Sequence, residues 1–84
     1  MKMTGDQMAK AYVLINTDVG KEDEVLEKIK SFNGIEDAHV VYGTYDMIVK
    51  VKAKDQAELK QTILKQFRVL DSLRGTITLI AVDD

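Results

Sequence analysis

Hydrophobic positions along this chain switch between strand-like and helical spacing, and the same succession occurs twice. Short apolar runs that are β-branched or alternate with polar residues predict strands. Apolar positions that recur at i, i+4 and i+7 predict amphipathic helices. The predicted order is strand, helix, strand, strand, helix, strand, over residues 11–15, 21–32, 35–42, 47–53, 55–70 and 76–82.

The two predicted helices carry signals along one face and at their ends. Asp55, followed three residues later by Glu58, matches a capping box at the start of the second helix. Gly34 supplies a residue that tolerates the left-handed conformation at the end of the first helix, and Gly75 is expected at the matching joint before the last strand. The apolar stripes consist of Val25, Ile29 and Phe32 in the first helix and Leu59, Ile63, Phe67 and Leu70 in the second.

Two βαβ halves predict one ferredoxin-like domain over residues 1–84. Right-handed crossovers place both helices on one face of a four-stranded antiparallel sheet, which is a two-layer α+β sandwich of βαββαβ order. The strands nevertheless carry apolar side chains on both faces, since Tyr12 and Leu14 alternate with Val13 and Ile15. An uncovered apolar face predicts a partner, and a second copy in a homodimer is the commonest one.

Composition and charge exclude several classes of protein. The net charge of −2 and the isoelectric point of about 5.3 lack the basic excess with which proteins neutralise nucleic-acid phosphates. No run approaches the roughly 18 apolar residues of a membrane span, and residues 1–10 lack the apolar core of a secretory signal. We therefore expect a soluble, cytoplasmic protein with no direct contact to nucleic acid or membrane.

Candidate chemistry is sparse, and it argues against an enzyme. The chain has no cysteine and one histidine, His39, which is predicted mid-strand and cannot by itself anchor a transition-metal site. The acidic run 22–24 points three ways on a helix and cannot converge on a cation, and Ser31 and Ser72 are predicted at helix ends. We expect no catalytic residues, no metal and no cofactor.

The turn between the middle strands is the most informative segment. A glycine at position 43 frees the backbone to expose N–H and C=O groups, while Thr44 adds a hydroxyl and Asp46 a carboxylate. Such a turn is either a simple hairpin connection or a cradle for a zwitterion. In the second case backbone N–H groups hold a carboxylate, Asp46 holds an ammonium, and Tyr42 and Tyr45 wall the site.

Several segments together resemble the C-terminal effector domain, or RAM domain, of the Lrp/AsnC regulators. The similarity extends from about Ala11 to Val82, and its most specific element is the Gly-x-Tyr-Asp turn at 43–46. The other segments are the opening strand with Asn16 and Thr17, the Gly20-Lys21-Glu22 helix entry, the Gly34-Ile35 joint and the Thr76–Ile80 strand.

This resemblance implies binding of a free amino acid and assembly of dimers into higher oligomers, up to an octamer. It assigns the effector loop to Tyr42, Gly43, Thr44, Tyr45 and Asp46, and it assigns Thr76 and Thr78 to a strand that a neighbouring dimer contributes. Ten residues before Ala11 are too few for the helix-turn-helix domain of the family's regulators, so we expect a stand-alone effector domain that associates with itself and with full-length regulators. Two alternatives remain open: a purely structural oligomerisation module, and a small dimeric ferredoxin-like enzyme.

Overall fold

The computed structural model describes residues 8–70 and 73–82 as four strands and two helical segments. The first half contains β1 (Ala9–Thr17), α1 (Glu22–Lys30) and β2 (Ile35–Val40). The second half contains β3 (Met47–Ala53), a helical segment that begins with α2 (Gln56–Glu58), and β4 (Leu73–Ile80). In the part of the chain that the structure describes, neither helical segment has the length and hydropathy of a membrane span.

The four strands form one antiparallel sheet in the order β2-β3-β1-β4. The two strands that are adjacent in sequence, β2 and β3, form a hairpin, and the two longer connections each carry a helical segment across the same face. This arrangement confirms the predicted ferredoxin-like α+β fold. Its consequence for the site is that β1 lies between β3 and β4, so the end of β1 has a neighbouring strand on each side.

The core lies between the sheet and the helical segments. Alternate residues of β1 and β3 point towards the helices and are buried, as the hydrophobic pattern predicts. Each fully buried aliphatic side chain contributes about 1.5–3 kcal/mol relative to exposure. The rings of Phe32 and Phe67 meet edge to face with centroids 5.3 Å apart, and they join the two helical segments. The helical contribution to the core consists of Val25, Ile29, Leu59, Ile63 and Phe67.

The predicted cap of the second helical segment is present. The Glu58 N–H donates to Oδ1 of Asp55 at 2.8 Å. Oε1 of Glu58 in return accepts from the Lys54 N–H at 2.8 Å, one residue earlier than in the standard capping box. Both bonds satisfy N–H groups that have no partner inside the helix.

The second helical segment is less regular than the apolar stripe indicates. After α2 it continues as a π-helix at Leu59–Ile63 and as a 3₁₀-helix at Leu64–Val69. Leu59, Ile63 and Phe67 of the stripe are still buried, whereas Leu70 is half-buried at the end of the segment. Gln66 fixes the segment to the end of α1, since its amide accepts from the Asn33 N–H and donates to the Asn33 carbonyl, both at 2.8 Å.

The two expected glycine joints differ in the structure. Gly34 has a φ of 81° after α1, which confirms its predicted role. Gly75 lies inside β4, opposite Asn16, so the prediction of a matching joint before the last strand is wrong. The reason is that β4 begins earlier than expected, at Leu73, and pairs with β1 as far as Thr17 through a local register irregularity.

The sheet face without helices is apolar at its centre. The strand register places Tyr12 opposite Leu79, and Leu14 opposite both Ile77 and Ile48. Ile77 and Leu79 are 42% and 52% exposed. We refer to these five residues, Tyr12, Leu14, Ile48, Ile77 and Leu79, as the open sheet face.

Candidate functional site

The loop that joins β2 to β3 is tied to the end of β1. Inside the loop, the Val41 N–H donates to the Asp46 carbonyl at 2.9 Å. The Asp46 N–H in turn donates to the Ile15 carbonyl at 2.9 Å. The connection spans residues 41–46, which is wider than the expected tight turn at 43–46, and the β1 contact fixes the position of Asp46.

The Asp46 side chain is half-buried, and one of its two carboxylate oxygens accepts a hydrogen bond. Its Oδ2 accepts from the backbone N–H of Thr17 at 3.0 Å. Among the residues that the structure describes, no group donates to its other oxygen, Oδ1. Asp46 therefore both supports the fold and presents a carboxylate oxygen for a ligand.

The remaining loop residues are open to solvent in a single chain. Gly43 has a φ of 145°, a conformation that favours glycine, and Tyr42 and Thr44 are exposed while Tyr45 is half-buried. A Cβ built on Gly43 would meet no atom within 4 Å. Because Tyr42 is fully exposed in a single copy, the two tyrosines do not together cover the loop.

Asp46 lies between two clefts of different charge. One cleft, of about 300 Å³, is lined by Tyr42, Asp46 and the acidic start of α1 at Glu22 and Asp23, and we call it the acidic cleft. The other, of about 350 Å³, is lined by Asn16, Thr17, Asp46 and Arg74, and we call it the mixed-charge cleft. Of these two clefts beside Asp46, the mixed-charge cleft is the one that offers both a cation and an anion.

Thr17 adds an unusual feature to the mixed-charge cleft. The residue is 4% exposed, and its hydroxyl oxygen is buried with no hydrogen-bond partner among the described residues. A buried polar group without a partner costs about 1–3 kcal/mol. This hydroxyl therefore lowers the stability of the fold next to the candidate site.

Thr76 and Thr78 lie away from the Asp46 loop. They are exposed on the edge strand, opposite Ile15 and Val13, and they line a third cleft of about 510 Å³ together with Phe67. β1 separates them from the loop, so one copy does not bring all seven expected site residues into one cleft. Arg74 is the residue that lines both this third cleft and the mixed-charge cleft.

Sequence reasoning missed Asn16, Thr17 and Arg74 as partners of Asp46. In the sequence, Asn16 and Thr17 belong to the opening segment of the family resemblance, and nothing singles out Arg74. Asn16 pairs with Gly75 and Thr17 pairs with Leu73, so the register irregularity between them leaves Arg74 as the extra residue at this end of β1. The sequence signal for these residues is weak: two polar residues, Asn16 and Thr17, directly follow the apolar run of β1.

Among the described side chains, the lone histidine and the acidic residues do not form a metal site. Within residues 8–70 and 73–82, no three His, Asp or Glu side chains group together in a way that suits a metal ion. His39 is exposed on the helix-free face, opposite Ile48.

Comparison with known proteins places the chain among regulators. A family model described as the Lrp/AsnC ligand binding domain matches residues 10–84. The HTH-type transcriptional regulator FL11 of Pyrococcus furiosus is 32% identical over 72 residues, which covers 86% of this chain and 47% of the regulator. The chain spans about half the length of the curated regulators that it matches.

Solved structures of similar length share the fold. The hypothetical protein PHS023 from Pyrococcus horikoshii superposes with a TM-score of 0.82 at 38% identity, over 90% of this chain and 92% of that one. The protein FFRP-DM1 superposes with a TM-score of 0.80 at 39% identity, over 88% of this chain and 99% of that one.

One partial match involves an enzyme. The homocitrate synthase of Saccharolobus islandicus is 37% identical over 54 residues, which cover 64% of this chain and 12% of the enzyme. Because the match covers 12% of the enzyme, it does not carry the enzyme's activity to this chain. The relatives that match at greater coverage are transcriptional regulators.

Proposed function

The chain belongs to the Lrp/AsnC ligand-binding-domain family, and on that basis we propose that it binds a free amino acid and acts as an effector module in transcription regulation. Its regulator relatives support the general role of an effector-binding regulatory module. The observation that carries the amino-acid proposal is the carboxylate of Asp46, which is anchored through Oδ2 and has Oδ1 left for a ligand.

The chemistry of an amino acid fits this part of the molecule. The ammonium group of the ligand binds to Oδ1 of Asp46, in a charge-assisted hydrogen bond. The loop from Tyr42 to Tyr45 offers the Thr44 hydroxyl and backbone N–H groups, held open by the positive φ of Gly43. These groups lie at the end of β1 in a fixed position, because Asp46 is bonded to Ile15 and Thr17.

Self-association completes the site in this proposal. The open sheet face forms a two-fold homodimer, since apolar faces of this kind are normally covered. Dimers then assemble into a ring, up to an octamer, in which Thr76 and Thr78 of one dimer meet the Asp46 loop of the next. Ile77 and Leu79 on the open sheet face are exposed in a single chain, as are Thr76 and Thr78, and this exposure supports the arrangement.

Regulation by this module passes through protein partners. With a net charge of −2, the domain has no excess of basic residues from which to gain affinity for phosphates. Full-length regulators of the family carry the same domain type, so they are the partners we propose. Mixed rings of this chain with such regulators would transmit the amino-acid signal.

Thermal melting against each of the twenty amino acids at millimolar concentration tests the proposal. A ligand that binds only the folded state raises the melting temperature, so at least one amino acid should do so. If none does, the chain is instead a structural oligomerisation module, which the open loop of the single copy favours as the second candidate.

A further inference from the structure

The end of β1 is flanked by opposite charges on its two neighbouring strands. Asp46 directly precedes β3 on one side, and Arg74 lies on β4 on the other. Strands two positions apart in a sheet are separated by roughly 10 Å between their backbones. Among the described residues Arg74 makes no salt bridge, with Asp46 or with any other carboxylate. The two charged side chains therefore line the mixed-charge cleft without forming an ion pair across it.

We propose that the mixed-charge cleft is the amino-acid pocket of this protein and that Arg74 is its carboxylate-binding residue. This inference rests on the proposed function. It adds a positively charged residue, which the effector loop at 42–46 lacks. A guanidinium binds a carboxylate through two parallel N–H donors, and such pairs are stronger than bonds between neutral groups. The ligand then spans the end of β1, with its carboxylate on Arg74 and its ammonium on Asp46.

The acidic cleft on the other side of Asp46 is a poorer pocket. Its charged residues are Glu22, Asp23 and Asp46, all negative. An α-carboxylate placed there would be repelled from every charged side chain around it. An amino acid that contacts Asp46 is therefore directed into the mixed-charge cleft, where the opposite charge of Arg74 is available.

The lining also defines the class of amino acid. Every side chain of the mixed-charge cleft is polar, and the cleft measures about 350 Å³, near the lower end of the size range of ligand sites. An apolar ligand side chain would gain little there, because the lining offers little apolar surface to cover it. The Asn16 amide can both donate to and accept from a polar side chain. We expect small polar amino acids such as serine, asparagine and glutamine to bind better than leucine or phenylalanine.

Two variants and one control separate this inference from the proposed function. Arg74→Gln removes the cation from an exposed side chain, and Arg74→Lys keeps the charge but loses the paired donors. Lys65→Gln is the control, since Lys65 is an exposed cation that lines none of the three clefts described above. The assay is titration calorimetry of the full chain with L-serine, L-asparagine, L-glutamine and L-leucine. Arg74→Gln should weaken binding of the polar amino acids about ten- to a hundredfold, Arg74→Lys less, and Lys65→Gln hardly at all.

The possible results lead to different conclusions. If a polar amino acid binds the wild-type chain and Arg74→Gln binds it as tightly, Arg74 is not the carboxylate partner and the inference is wrong, while the proposed function stands. If leucine binds and the polar amino acids do not, the pocket is likewise wrong. If none of the twenty amino acids binds, the proposed function fails and the inference with it.

A measurement on the wild-type chain covers the case in which the Arg74 variants do not fold. The amide of the bound amino acid, which lacks the α-carboxylate, should bind at least tenfold more weakly than the amino acid itself. Equal binding of the two compounds would overturn the assignment of Arg74.

Discussion

Replacement of Asp46 should reduce the stability of the protein as well as its affinity for a ligand. Replacement by alanine should cost more stability than replacement by asparagine. In the structure, Oδ2 of Asp46 accepts from the N–H of Thr17, a residue that is 4% exposed. Asp46→Asn keeps an oxygen that can accept this bond but removes its charge. Asp46→Ala removes the acceptor and leaves a buried N–H group without a partner.

The expected magnitudes follow from this single contact. A hydrogen bond to a charged group contributes about 1.5–3 kcal/mol and a neutral one about 0.5–1.5 kcal/mol, so Asp46→Asn should cost roughly 1 kcal/mol. For Asp46→Ala the unpaired N–H adds its desolvation, and the total cost should reach about 2–3 kcal/mol. In a domain of this size, 1 kcal/mol corresponds to about 4–8 °C in melting temperature.

Thermal unfolding followed by circular dichroism, at one fixed protein concentration, measures both variants. The concentration is fixed because self-association shifts the melting temperature. Asp18→Asn is the control, since it removes the same charge from an exposed residue just beyond β1. If Asp46→Ala melts at the same temperature as Asp46→Asn, or if both match Asp18→Asn, the Thr17 contact does not support the fold and the reasoning is refuted.

Three further predictions test other parts of the structure. Thr17→Val should stabilise the chain by about 1 kcal/mol in urea unfolding, because it replaces a buried hydroxyl that has no hydrogen-bond partner among the described residues by a methyl group of similar size. A loss of stability would show that the hydroxyl is hydrogen-bonded. Gly34→Ala should destabilise the fold by about 1–3 kcal/mol more than Gly20→Ala. Both glycines have a φ of 81°, but a Cβ at Gly34 would lie 2.5 Å from Ile63 Cδ1 and 2.9 Å from the Lys52 carbonyl oxygen, whereas one at Gly20 would meet no atom within 4 Å. Equal losses of stability would contradict the close contact at Gly34. Light scattering at micromolar concentration should show no stable monomer, because the open sheet face is apolar, and a species of 9.4 kDa would contradict the dimer.

The fold could be predicted from the sequence because its determinants are local and periodic. The alternation in β3 and the stripe of Leu59, Ile63 and Phe67 fix which side chains face the core, and the order of the elements then selects the topology. The form of the second helical segment could not be predicted in this way. It depends on tertiary contacts such as the Gln66 bonds to Asn33, which leave no periodic signal.

The candidate site was predictable only in part, for a related reason. The loop from Tyr42 to Asp46 is contiguous, so its turn chemistry can be recognised in the sequence. The mixed-charge cleft joins residues from β1, the loop and β4, and Arg74 reaches it through the strand register near Thr17. A register irregularity of this kind is a long-range property of two paired strands, and the expected joint at Gly75 obscured it.

Calorimetric titration of the wild-type chain and of Asp46→Asn with the amino acid that most raises the melting temperature tests the central claim most directly. We predict a saturable binding heat for the wild-type chain and an affinity about ten- to a hundredfold weaker for Asp46→Asn, because the variant loses the charge that binds the ammonium group. Equal affinity of the two proteins, or no binding heat with any of the twenty amino acids, would contradict the claim that this chain is an amino-acid effector module with Asp46 at its site.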